Sequence, residues 1–134
     1  MAEAAERKIL SGATIFIVAD VVKAAEYYRD KLGFRFERYW GDPPTFCMLW
    51  RNEQCVMLSK VEDTGLIRPV SSVRPDIWDA YFWVNDVEGF FEELTGNGAS
   101  TISEPTVTFY NVKEFTVRDP DGYVICFGEG MNDG

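Results

Sequence analysis

Asp79, Tyr81 and Trp83 occupy alternate positions of an aromatic-rich run at residues 78–84. In an extended strand alternate residues share a face. A carboxylate, a phenol and an indole would then look into one space, with Trp78, Ala80, Phe82 and Val84 on the other side. Such a set can stack on an aromatic ligand and answer a positive charge, at about 0.5–2 kcal/mol per cation–π contact. Acid–base catalysis is the rival use, and it would need Asp79, Tyr81 or Glu129 with a carboxylate pKa raised by burial. The chain has no histidine, the usual neutral-pH proton carrier and the commonest metal ligand. Cys126 has no base identifiable beside it, and no glycine-rich phosphate loop, Ser/His/Asp set or zinc-ligand spacing occurs. Trp40, Phe46, Met48, Trp50, Phe109, Tyr110 and Phe115 are further candidates, a pool that core, interface and site must share. Four tryptophans in 134 residues tilt that pool toward binding.

The elements that must position these residues come in two copies. Val18-Ala19-Asp20-Val21 opens an amphipathic stretch that closes on Leu32-Gly33-Phe34, and Val84-Asn85-Asp86-Val87 opens another that closes on Asn97-Gly98-Ala99. Asp86 follows Asp20 by 66 positions, and the turn Asp119-Pro120-Asp121-Gly122 follows Arg51-Asn52-Glu53-Gln54 by 68. Each Asp is a helix N-cap by type, its carboxylate able to accept from free first-turn amides. Val21, Ala24, Ala25, Tyr28 and Leu32 recur at helical spacing. In the first half, strands are predicted at residues 13–18, 35–40, 45–50 and 55–60. In the second half they are predicted at 78–84, 100–103, 112–118 and 123–128. Two small units of this kind are most stable packed together.

The predicted organisation is a flexible tail at residues 1–8, a first β-α-β-β-β module at 9–60, a linker at 61–75, a second module at 76–129 and a tail at 130–134. The predicted class is α+β. Each module forms a curved mixed sheet with its helix on the outer face, and the two sheets, set edge to edge, leave a concave groove. Open edge strands would invite pairing, which favours a homodimer.

Composition narrows the partners. The net charge is -9, from 22 acidic and 13 basic residues, which repels phosphate backbones and argues against nucleic acid. No run of eighteen apolar residues exists, so no membrane span is expected, and the charged first residues lack the apolar core of a signal peptide. Three cysteines without CxxC spacing suggest reduced thiols and a cytoplasmic protein.

The element order, the capped helix starts, Tyr27-Tyr28-Arg29-Asp30-Lys31-Leu32-Gly33-Phe34 and the Asp119-Pro120-Asp121-Gly122 turn together resemble the vicinal oxygen chelate superfamily. That superfamily comprises glyoxalase I, extradiol dioxygenases, fosfomycin-resistance enzymes and bleomycin-resistance proteins. The resemblance covers roughly residues 9–129. It implies four metal-ligand positions. Counting seven residues back from each capping Asp reaches Ala13 and Asp79; counting four on from each turn reaches Leu58 and Cys126. Ala and Leu cannot ligate, and a carboxylate with a thiolate is a mismatched pair for a divalent ion. The expectation is therefore no metal and no cofactor.

If these positions face the hollow, so do Ala13, Ile15, Ile17, Val56, Leu58, Asp79, Tyr81, Trp83, Val124 and Cys126. The closest type is the metal-free bleomycin-resistance protein, which implies non-catalytic sequestration of a small aromatic or cationic molecule in a groove at a dimer interface. The alternative is a lyase, isomerase or dioxygenase of the same superfamily with a divergent site.

Overall fold

The structure is a computed structural model that describes residues 5–131. The tail expectations for residues 1–4 and 132–134 lie outside the described residues. Residues 5–12 are exposed and without regular structure.

The first half runs β1 (Ala13–Val18), α1 (Val21–Asp30), β2 (Tyr39–Trp40), β3 (Phe46–Arg51) and β4 (Gln54–Lys60). The second runs β5 (Ala80–Trp83), α2 (Val87–Gly96), β6 (Ser100–Thr101), β7 (Thr106–Val107), β8 (Val112–Arg118) and β9 (Val124–Gly130). Both helices start where a side chain satisfies a free amide: Asp20 accepts from the Lys23 N–H at 3.1 Å and Asp86 from the Gly89 N–H at 3.0 Å. Gly33, at φ +77°, takes the left-handed turn that leads out of α1.

The sheets are ordered β1-β4-β3-β2 and β5-β9-β8-β6, with β7 also on β8. The β1–β4 and β5–β9 pairs are parallel and the others antiparallel. The class is α+β with open mixed sheets, as the sequence implied. The strand expected at 35–40 shrinks to two residues. Arg35 bridges Trp50 and Tyr39 pairs with Cys47, so four steps of chain oppose three, and the extra residue breaks the ladder as a bulge. β7 was not anticipated.

No ladder joins the two sheets among the described residues, so the edge-to-edge arrangement expected within the chain is not the one adopted. The helix-bearing faces pack together instead, and one buried cluster draws on both halves. Phe16 stacks on Tyr123 with ring centroids 4.1 Å apart, and Phe34 meets Phe82 at 6.1 Å. Aromatic pairs of this kind add about 0.5–1.5 kcal/mol beyond burial alone. Arg51 closes the junction by donating to the Leu32 carbonyl at 2.8 Å and pairing with Glu93 at 2.7 Å. The consequence for function is geometric: each sheet's open face is turned away from the other.

Candidate ligand-binding site

On the second sheet, register decides which side chains share the open face. Tyr81 pairs with Cys126 and Trp83 with Gly128, while β8 sets Glu114 opposite Gly128 and Thr116 opposite Cys126. Since Gly128 has no side chain, the Tyr81 ring can lie across β9. A Cβ at Gly128 would fall on the Tyr81 hydroxyl and within 2.6 Å of its Cζ. Tyr81 thereby donates to Oε2 of Glu114 at 2.8 Å, and Tyr110 donates to Oε1 at 2.6 Å. Trp78 and Trp83 flank Tyr81 with ring centroids at 4.8 and 4.9 Å.

Burial, followed by the bond to Glu114, raises the Tyr81 pKa well above the ordinary phenol value, and desolvation followed by the same acceptor pushes Tyr110 up to about 12. Both phenols are therefore protonated donors at neutral pH. Burial, then the Glu114 charge, also raises the Cys126 thiol, which makes a thiolate at neutral pH unfavourable.

The open face of the first sheet is an apolar shelf. Phe46, Met48 and Trp50 alternate along β3, and Trp40 pairs with Phe46 across β2 with the rings 5.6 Å apart. Arg38 lies over the Trp40 ring at 4.4 Å. A hollow of about 230 Å³ lined by Phe36, Arg38, Trp40, Met48 and Trp50 opens there. Ile15 and Ile17 extend the shelf along β1 at 66% and 37% exposure. A separate cleft of about 560 Å³, lined by Phe34, Arg51, Phe82, Trp83 and Phe90 among others, sits at the module junction. Its Arg51 is stacked over Phe90 and paired with Glu93.

Three expectations about the lining are corrected. Leu58 pairs with Phe16 and Cys47, and Phe115 pairs with Phe127, so both belong to the helix-facing core and are fully buried. Val56, opposite Leu49, does likewise. For Leu58 and Val56 the cause is turn length. Two residues separate Arg51 from Gln54, but five separate the paired Arg118 and Val124. Counting from the turns is consequently out of register by one, and one residue moves a side chain to the opposite face. The first-half counterpart of Cys126 is Met57, which pairs with Ile15 as Cys126 pairs with Tyr81.

Trp78 also leaves the expected alternation. β5 begins only at Ala80, and Trp78 turns back onto Tyr81. Asp79 is committed to backbone, its two oxygens accepting from the Val70 N–H at 2.6 Å and the Val124 N–H at 2.8 Å. It pins the linker to the head of β9. Phe109, at 99% exposure, contacts only the Tyr110 ring among the aromatic side chains described.

Glu114 and Gly128 were missed from sequence. The signal available for Glu114 was the alternation of Glu114, Thr116 and Arg118 against Phe115 and Val117 on β8, which reads equally well as a solvated face.

Two open mixed sheets, each carrying one capped helix and packed through their helix faces, define a paired-module α+β protein with an open face on each sheet. The chain belongs to the Glyoxalase/Bleomycin resistance protein/Dioxygenase superfamily, whose family model matches residues 11–127. Among solved structures, a glyoxalase/bleomycin resistance protein/dioxygenase from Nocardioides is 17% identical over 98% of this chain and 89% of its own, with a TM-score of 0.69. The bleomycin-binding protein of bleomycin-producing Streptomyces verticillus, in complex with copper(II)-bleomycin, is 20% identical over 96% of this chain and all of its own, with a TM-score of 0.66. Lactoylglutathione lyase from Agrobacterium tumefaciens is 16% identical over 88% and 91%, with a TM-score of 0.65. At these identities the likeness is one of fold. No curated protein gives a significant match.

A metal fits poorly at the positions the family resemblance indicates. Ala13 and Met57 offer no hard donor, Asp79 has both oxygens on backbone amides, and Cys126 is a buried thiol. Among the described residues no three His, Cys, Asp or Glu side chains converge to hold an ion.

Proposed function

We propose that this protein binds and sequesters a small aromatic, positively charged molecule without transforming it, in a groove completed by a second copy of the chain. Modules 9–60 and 76–129 would each supply one wall. The observation that carries this reading is the division of the candidate site into two unlike halves. An aromatic and thioether shelf of Trp40, Phe46, Met48 and Trp50 lies on one open face, and Tyr81, Trp83 and Tyr110 around a carboxylate lie on the other. Neither half encloses a ligand by itself. Among the described residues both sheets end on a strand without a partner on its outer side, β1 and β5, and an unpaired, apolar edge is a pairing surface. Laying β1 of one copy along β5 of another would bring unlike walls together. A net charge of -9 attracts cations toward either wall.

The test is a thermal-shift screen with glycopeptide and aromatic antibiotics, joined to light scattering for mass and to mass spectrometry of recovered ligand. The expected result is a dimer stabilised progressively as ligand rises, with the ligand recovered intact. A chemically altered ligand, or a stoichiometric divalent metal in the purified protein, would instead place the chain with the enzymatic members.

A further inference from the structure

We infer that Glu114 is the cation-binding subsite of this groove and takes an alkylammonium or guanidinium group joined to an aromatic ring. The inference rests on the sequestering reading but concerns one wall, and that wall lies within a single chain. Three features point to a cation.

The first is electrostatic. Glu114 has no ion-pair partner among the described residues; the other described glutamates without one are exposed, except Glu129, which is half-buried and accepts from the Val87 N–H. On its own strand, Lys113 is taken by Glu88, and Arg118 lies four residues along the same face. A half-buried carboxylate without a countercharge is one a ligand can neutralise.

The second is valence. A carboxylate has about four lone-pair sites, and the two phenols occupy one on each oxygen. The Cys126 thiol also bonds to this side chain, so the three groups hold it still and leave room for one charged N–H donor, or for the diffuse charge of a quaternary ammonium. Burial and the Glu114 bond hold both phenols protonated, so each is a neutral donor to that side chain.

The third is the wall. Trp78, Tyr81 and Trp83 form a continuous run of ring contacts beside the carboxylate, and Trp83 is 67% exposed. Aromatic faces with an acid among them are suited to an alkylated ammonium. Gly128 is what lets Tyr81 cross β9 to reach Glu114.

The experiment compares 3-hydroxyphenyltrimethylammonium with its uncharged isostere 3-tert-butylphenol, titrated by calorimetry into the full chain and into Glu114→Gln and Tyr110→Phe. Wild type should prefer the cation by about tenfold, a preference of cation–π and charge origin. Glu114→Gln should abolish that preference and leave the neutral isostere unchanged. Tyr110→Phe, which keeps the charge, should retain most of it. Equal binding of the two probes by wild type overturns the subsite without needing any variant, and so does an unaltered preference in Glu114→Gln. If wild type binds neither probe at millimolar concentration the subsite is also refuted. Stabilisation by the larger antibiotics would then leave the sequestering reading standing, and its absence would remove both.

Discussion

Tyr28 donates a 2.7 Å hydrogen bond to Oδ2 of Asp119, joining the last turns of α1 to the β8–β9 turn across the module junction. Both side chains are buried, and Oδ1 of Asp119 accepts from the Asp121 and Tyr123 N–H groups at 2.9 Å each. The two stretches that carry the family resemblance are thus in direct contact, 91 residues apart in sequence. Removing the hydroxyl in Tyr28→Phe leaves a buried oxygen short of a donor. It should cost about 1–3 kcal/mol in urea denaturation.

Burial raises the Asp119 carboxyl to about 6 against its donors. An acid raised on folding binds more protons when folded, so stability falls as pH climbs from the unfolded to the folded pKa. Wild type should therefore gain about 2 kcal/mol relative to Asp119→Asn between about pH 7 and about pH 4. Parallel urea curves for the two proteins over that range check the sign. A difference that stays flat would contradict it.

Asp79→Ala and Trp83→Ala should separate. The first removes the acceptor of two backbone amides and should destabilise the fold by about 1–3 kcal/mol, with faster hydrogen exchange at the Val70 amide. The second truncates a side chain that is 67% exposed and should change stability by less than about 0.5 kcal/mol while weakening ligand binding.

Gly128→Ala drives a methyl into the Tyr81 ring. The expected cost is about 1–3 kcal/mol. In a Tyr81→Ala background the same change should cost much less, because the colliding ring is gone. A double-mutant cycle reads this directly as coupling.

Ile15→Lys places a charge on the exposed face of edge strand β1, where Ile15 is 66% exposed. Monomer stability should change little. If the proposed β1–β5 pairing forms, this variant should stay monomeric at a concentration where wild type sediments as a dimer, as read by sedimentation equilibrium; a wild type that sediments as a monomer overturns the pairing.

Much of the architecture was legible because it is written locally. Asp20 and Asp86 cap their helices through a side chain reaching an amide three residues on, a relation that needs no tertiary contact. Apolar spacing in α1 and alternation in β5 and β8 likewise follow from backbone periods of 3.6 and 2. These marked two modules and placed Tyr81 and Trp83 on one face.

The candidate site depended on what local pattern does not contain. Leu58 went to the core because the two hairpin turns differ in length, and a period of two converts that difference into the opposite face. Asp79 became a latch because Val70 and Val124 arrive from other parts of the chain. Glu114 looked like any solvated strand carboxylate until β5 and the loop before β8 brought Tyr81 and Tyr110 to it, over a glycine that leaves the way open. Sequence by itself determined which elements form and which side chains alternate. Only the tertiary structure decided which face each strand offers to the hollow, because register and turn length are settled by packing between residues far apart in the chain.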